Sequence, residues 1–551
     1  LKFERLLETY YGFAPKGLVS FLQSMPVWLR EKMFLKRIMH EELATLEGYD
    51  KSKVKLLFPE HHLSHAASAF YASPFQEAAI LTIDGVGEWA TASIGKGSGN
   101  QLEIIKELRF PHSVGLLYSS FTYFLGFKVN SGEYKLMGLA PYGNPEAPEV
   151  AKYVRLIKEV LCDIKPDGSI WLNQAYFSYA TGLRMVPDAS WEKLFGFKKR
   201  NEGDALEQHH CNLGYAIQQV TEEIVLLMAK EAQRLTQCEH LTMAGGVALN
   251  CVANGQLQRA GIFKDLFIQP AAGDAGGALG AALAAYYIYF GKPRKTDAAQ
   301  DEMQGSYLGP EYSHLQCEQV FRKYKAVYRK AASDEDLSRT TADLLAQGQV
   351  VGWFQGRMEF GPRALGNRSI LGDARNPDMQ KKLNLKIKYR EGFRPFAPSV
   401  LAEDASQYFE LGGAASPYML LVAPLLSRHR EAVPPGYNSM PLMERLYTLR
   451  SHLPAITHVD FSARVQTIHR ATNERFWNLL QAFKEKTGIG LVVNTSFNVR
   501  GEPPVCSPED AYRCFMRTEM DYLVLGDYIL AKAEQPPWPE TEDWKKEFAL
   551  D

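Results

Sequence analysis

A surplus of either charge is the first thing this sequence lacks: 62 Lys and Arg stand against 63 Asp and Glu in 551 residues, a formal net charge of −1. No global field draws the chain to nucleic acid or to an anionic membrane, so a charged ligand must be met by local clusters. Long apolar runs are missing as well. The longest, over about 277–290, falls short of the ~18 or more residues of a membrane span and reads as a buried helix. No secretory signal pattern is visible, and no tract is of low complexity. The seven cysteines, Cys162, Cys211, Cys238, Cys251, Cys317, Cys506 and Cys514, are odd in number, scattered and without a Cys-x-x-Cys pair. That excludes a disulfide framework or a thiolate zinc site and indicates reduced thiols in a cytosolic, cytoplasmic protein.

At this length a single core is also excluded, because cores stop growing near ~300 residues; two or more domains are expected. Residues 1–55 have helical periodicity broken by Pro15 and Pro26, with Arg30, Lys32, Lys36 and Arg37 forming a solvated cationic face. Strand patterns over 78–84, 88–94 and 102–108 form a β-meander. A long helix over 213–236 then leads to a strand ending in Gly245-Gly246, and 266–287 repeats that logic around Gly273-Asp274. Strands alternating with helices define an α/β unit with ligand sites at strand ends. A polar stretch over 291–310 reads as the linker. A second α/β unit opens with a strand near 350–354 and closes with one near 522–531, and the acidic tail from Gln535 is peripheral.

Two constellations bear chemistry. In Glu60-His61-His62-Leu63-Ser64-His65, His61 and His65 stand at i and i+4, one helical turn apart, so two imidazoles can grip one divalent ion. Asp84 and Asp274, each beside glycine at an element end, would complete a mixed imidazole and carboxylate site; the alternative is that all four cap helices and turns. Glycine turns such as Gly245-Gly246, ahead of Asn250, aim backbone N–H groups at an anion, with tight helix–strand packing as the alternative. The second constellation is a set of arginines, including Arg357, Arg363, Arg368, Arg390, Arg394 and Arg464, spread over segments rich in Gly, Pro and Asn. Rigidly held guanidinium forks pair with phosphate or carboxylate, and no interleaved aromatics support nucleic-acid stacking, so a small phosphorylated anion is favoured.

The strings His61-x-x-x-His65, Asp84-Gly85, Gly132-Glu133-x-Lys135-x-Met137-Gly138, Gly245-Gly246-x-x-x-Asn250, Gly273-Asp274-x-Gly276, Gly361-Pro362-Arg363-Ala364-Leu365-Gly366, Arg394-Pro395-Phe396-Ala397-Pro398 and Asn494-Thr495-Ser496 span nearly the whole chain. In them the chain resembles the nodulation and antibiotic O-carbamoyltransferase family, whose members carbamoylate nodulation factors, tobramycin and cephamycins; residues 3–10 are similar to a subgroup with the saxitoxin enzyme. The resemblance implies an α/β protein of two parts. An actin-like ATPase (ASKHA) domain over 1–295, similar to the tRNA threonylcarbamoyl-transferase, lacks its first ~80 residues, where the family has a His-Asp-x-x-Ala loop. A linker and domain start over 296–345 lead to a carbamoyl-adenylate-forming domain over 346–551, similar to threonylcarbamoyl-adenylate synthase.

The implied reaction takes carbamoyl phosphate and ATP to carbamoyl adenylate, then transfers the carbamoyl group to a hydroxyl of a small natural-product or sugar acceptor. By match to the family, Arg363 and Arg394 bind ATP and carbamoyl phosphate and Arg464, Asn494 and Ser496 complete the pocket, with Arg357 and Arg368 as neighbours. Gly245, Gly246 and Asn250 receive the adenylate. For Glu133 and Lys135, nucleotide contact competes with an internal ion pair that fixes a loop. His61, His65, Asp84 and Asp274 hold the metal, Fe(II) by the resemblance and Zn or Mn by ligand type, with Mg accompanying ATP. Neither nucleic acid nor membrane is expected as a partner, and a homodimer is compatible with the sequence. The rival readings are a threonylcarbamoyl-adenosine-type tRNA modification enzyme and a nonenzymatic ATP-binding regulator.

Overall fold

The computed structural model describes residues 2–538; the end of the acidic tail, residues 539–551, lies outside them. Two sheets organise the chain. The first has the order β3-β2-β1-β6-β7, built from β1 (Glu77–Ile83), β2 (Ala90–Ser98) and β3 (Gln101–Arg109), with β4 (Cys162–Ile164) and β5 (Ile170–Leu172) as a separate hairpin, then β6 (His240–Ala244) and β7 (Asp265–Ile268). The meander of β1 to β3 is antiparallel, whereas β1, β6 and β7 run parallel. Central β1 is apolar on both faces because both are covered. Ala78 and Ile80 face the helix His61–Phe70, while Leu81 and Ile83 join the core of the long helix Gln208–Thr236.

The helix Asp274–Ala284 packs against the helix His61–Phe70. Its buried residues are Gly276, Gly280 and Ala284, one per turn. A Cβ on Gly280 would stand 1.8 Å from the Ser64 carbonyl oxygen, so only glycine permits this approach. The expectation of a buried helix over 277–290 is corrected here: Tyr286, Ile288, Tyr289 and Phe290 are exposed, because only one face, with Gly276, Gly280, Leu283, Ala284 and Tyr287, packs inward. No helix among the described residues is long and apolar enough to cross a membrane.

The second sheet comprises β8 (Arg329–Lys330), β9 (Val351–Phe354), β10 (Arg368–Gly372), β11 (Ala397–Leu401), β12 (Leu421–Pro424), β13 (Ser462–Ile468), β14 (Leu491–Ser496), β15 (Tyr522–Leu525) and β16 (Tyr528–Ala531). Their order is β12-β13-β11-β14-β10-β9-β15-β16-β8. The stretch 522–531, expected as one strand, is a hairpin: Gly526 at φ 58° turns the chain between β15 and β16. Helices Asp334–Ala346 and Glu474–Thr487 cover one face.

The polar stretch read as a linker is pinned. Arg294 is buried and donates to the carbonyls of Phe70, Ser73 and Phe75 at 2.7–2.8 Å, and Glu302 N–H reaches Ala72 O at 2.9 Å. The two units also touch directly. Asn254 donates to Leu420 O at 3.1 Å, Arg259 to Val422 O at 3.0 Å, and Tyr142 to Phe393 O at 2.9 Å. This contact closes a cavity between the two units.

Candidate functional site

The helix His61–Phe70 places His61 and His65 on one face; Asp84 follows the end of β1, and Asp274 begins the helix Asp274–Ala284. One ligand atom from each of these four residues lies within 4.8 Å of all the others. His61 Nε2 stands 2.9 Å from Asp84 Oδ2 and 3.1 Å from His65 Nε2; both imidazoles are 3.6 Å from Asp274 Oδ1. Gly246 N–H donates to Asp84 Oδ1 at 2.9 Å, leaving Oδ2 turned to the cluster. Gly245 makes that contact possible, since its φ of 93° favours glycine and a Cβ there would lie 2.3 Å from Ile83 O.

The electrostatics show what the cluster demands. Burial works against a charge on His65, yet its hydrogen bonds to Asp274 and Asp84 outweigh this and push it up to about 9. Burial would raise Asp84, but hydrogen bonds from His61 and His65 hold it well below the usual carboxylate range. Two carboxylates thus draw a positive charge to this point. Two imidazole nitrogens and two carboxylate oxygens fit a divalent first-row metal. Asp274 has 80% of its side chain exposed, so one side of the cluster is open to solvent. His62, absent from the candidates, is buried, bonds to Thr82 Oγ1 at 2.6 Å and is pushed down to about 4 by burial.

Beyond the Gly246–Leu249 turn, Cys251 opens onto a cavity of about 610 Å³ lined by both units. Arg363, Arg394, Arg464, Asn494 and Ser496 all line it. The strand register explains part of the convergence. Asn494 on β14 lies between Leu371 of β10 and Ala397 of β11, and its Nδ2 donates to Ser399 Oγ, Gln466 Oε1 and Ala364 O. It thereby fixes the loop bearing Arg363. The Nε atoms of Arg363 and Arg464 are buried without a hydrogen-bond partner. Burial, then the neighbouring Arg464, pushes Arg363 down to about 9.

Four further cations line the same cavity: Lys128, Lys388, Arg390 and Arg500. Lys388 is buried and donates to Ser496 Oγ at 3.2 Å and to Asn498 Oδ1 at 2.7 Å. Burial, with Arg390 nearby, holds it well below its ordinary value. Arg500 stands before Gly501 and was open to the criterion that selected Arg363; nothing in the sequence distinguishes Lys388 from its neighbour Lys386 except burial.

Other candidates stand elsewhere. Arg368 is fully buried, donates to the carbonyls of Gln355, Gly356, Asn367 and Pro310, and lies 3.6 Å from the Phe354 ring centroid. Arg357 donates to Gly309 O and Leu308 O. Both hold loops and neither lines the cavity. Glu133 accepts from Ser119 Oγ and Asn130 N–H, fixing its loop, while Lys135 is 3.8 Å from Glu391 beside a neighbouring cavity of about 790 Å³. Asn250 caps the helix Cys251–Ala260 and bonds Gln218, so it supports the glycine turn.

The described residues thus hold two polar constellations, a guanidinium-lined cavity and a His/Asp cluster. Residues 1–283 match the family described as Carbamoyltransferase N-terminus and residues 342–532 that described as Carbamoyltransferase C-terminus. The chain belongs to this carbamoyltransferase family, with O-carbamoyltransferases among its homologues. An uncharacterized protein of Synechocystis is 56% identical over 100% of this chain and 88% of its own length. Nodulation protein NolNO of Sinorhizobium fredii is 38% identical over 95% of this chain and 69% of its own. The 3'-hydroxymethylcephem-O-carbamoyltransferase of Streptomyces clavuligerus is 32% identical over 58% and 54%.

Proposed function

We propose that the chain makes carbamoyl adenylate from carbamoyl phosphate and ATP in the cationic cavity, then transfers the carbamoyl group to an acceptor hydroxyl beside the His/Asp cluster. One observation supports this above the others: seven cations line the cavity against a single carboxylate, Glu502. Such an excess of positive charge calls for a polyanion, and a nucleoside triphosphate together with an acyl phosphate supplies it. In this reading the N-terminal unit is actin-like and the C-terminal unit resembles threonylcarbamoyl-adenylate synthase. The cephem relative is named for a hydroxymethyl acceptor, in keeping with a small hydroxylated substrate here. Seven unpaired cysteines fit a reducing cytoplasm.

A carbamate resists attack because its carbonyl is resonance-stabilised and lacks a leaving group. Hydrolysis of carbamoyl phosphate releases phosphate and carbamate. A carbamate oxygen then attacks the α-phosphorus of ATP, the bond to the β-phosphate breaks, and pyrophosphate departs. Arg363, Arg394 and Arg464 neutralise the reacting phosphates, and Lys388 holds the strand end bearing Ser496 from its position in the cavity wall. The acceptor oxygen finally attacks the carbamoyl carbon, its proton is lost, and AMP leaves. His61, His65, Asp84 and Asp274 would hold Fe(II), with Zn or Mn as alternatives, and the bound ion supplies Lewis acidity toward the carbamoyl oxygen. Gly246 aims Asp84 at that position.

Pyrophosphate release tests the reading. It is expected to require ATP and carbamoyl phosphate together; release indifferent to carbamoyl phosphate overturns it.

A further inference from the structure

We propose that Glu88 is a positioning residue for the four-ligand cluster, clipping the helix that bears both histidines to the turn that bears Asp84. The inference rests on the reading of that cluster as a metal site.

The helix His61–Phe70 begins without a cap of its own: Glu60, at its N-cap, makes no side-chain hydrogen bond to it. Its first N–H, that of His61, instead donates to Glu88 Oε2 at 2.9 Å, from a carboxylate 27 positions further along the chain. This is a charge-assisted bond at the positive end of a helix, where a carboxylate is most favourable. Glu88 stands in the turn that joins β1 to β2, and the first residue of that turn is Asp84. One side chain therefore ties two imidazole ligands to a carboxylate ligand on a different element.

The turn is itself held on every side. Gly87 N–H donates to Ala90 O at 2.8 Å, and Ser113 Oγ donates to Gly85 O at 2.7 Å. Arg5 donates to Gly87 O, lies 5.4 Å from the Phe110 ring centroid and is drawn to the Glu88 charge. Gly87 packs directly on the histidines: a Cβ there would stand 3.0 Å from His61 Cβ and His62 Cδ2. Metal binding tolerates ligand displacements of only about 0.2 Å. A helix start released from Glu88 shifts His61 relative to Asp84 by enough to matter.

Co(II) titration of the full chain, read by visible absorption, tests this in the wild type, Glu88→Ala and Glu88→Gln, with thermal unfolding as the control for folding. The expected result is a Kd raised about 10- to 100-fold in Glu88→Ala, with an altered Co(II) spectrum. Glu88→Gln, which retains an acceptor for the His61 N–H, should stay within about threefold of wild type. Arg5→Ala, which frees the turn without touching the helix, should weaken binding less than Glu88→Ala. Unchanged affinity and spectrum in Glu88→Ala overturn the proposal, as does equal weakening in Glu88→Ala and Glu88→Gln. A wild type that binds no Co(II) removes the metal reading and the proposal with it, whereas wild-type binding alongside an indifferent Glu88→Ala removes the proposal alone.

Discussion

Replacing Arg464 with Gln should make the ligand-free protein more stable and the enzyme far worse. Arg464 sits on β13 opposite Val422, and its charge is the second cause, after burial, of the depression of Arg363 from its ordinary value to about 9. A shift of that size corresponds to about 5 kcal/mol, of which burial is the larger share, so relief of the Arg464 contribution amounts to about 1–2 kcal/mol. That should raise the thermal midpoint in low salt by about 2–4 °C. Against this, each charge-assisted hydrogen bond to a phosphate contributes about 1.5–3 kcal/mol. Losing a guanidinium fork should therefore lower kcat/KM for carbamoyl-phosphate-dependent pyrophosphate release by roughly 10²- to 10⁴-fold. Differential scanning calorimetry and a coupled pyrophosphate assay on the same preparation give both numbers. A midpoint several degrees lower, or a rate within about fivefold of wild type, refutes the reasoning that these cations repel one another until the ligand arrives.

Other consequences follow from the same geometry. Arg368→Met leaves the carbonyls of Gln355, Gly356, Asn367 and Pro310 without their donor and should cost about 3–5 kcal/mol of stability in denaturant titrations, with KM for ATP unchanged in the folded fraction. Gly245→Ala forces a Cβ to within 2.3 Å of Ile83 O; strain of about 1–3 kcal/mol should displace the Gly246 N–H from Asp84, seen as weakened metal binding. His458, held down to about 4 by burial, resists a proton that the unfolded chain accepts near 6.5. Its contribution is therefore intact above pH 6.5 and falls by about 3 kcal/mol in all as pH drops toward 4. His458→Gln should flatten that part of the stability profile.

The histidine pair was legible because i,i+4 spacing is a local property, and the β-meander because alternation is local too. The arginines were legible by a cruder sign, their company of glycine and proline, which selected Arg363 and Arg394 but also Arg357 and Arg368. Flanking residues report a rigid turn without saying which way it faces. Arg368 lies on β10 with its donors already taken by carbonyls, a fact set by the partners of a buried strand. Lys388 escaped notice for the opposite reason: burial first, then Arg390, depresses its affinity for protons, and its hydrogen-bond acceptors Ser496 and Asn498 lie over 100 positions away. Convergence of Asp84 and Asp274 on the histidines depended on the order β1-β6-β7, which motif resemblance indicated and local pattern did not. The exposed aromatics after Ala284 show the limit of reading burial from an apolar run.

The most direct test of the division between the two compartments is a single variant measured twice. His61→Ala disturbs the His/Asp cluster and leaves the cavity lining intact. It should retain carbamoyl-phosphate-dependent pyrophosphate release at close to the wild-type rate while transfer of labelled carbamoyl group to an acceptor disappears. Loss of pyrophosphate release to the level of Arg464→Gln would contradict the account.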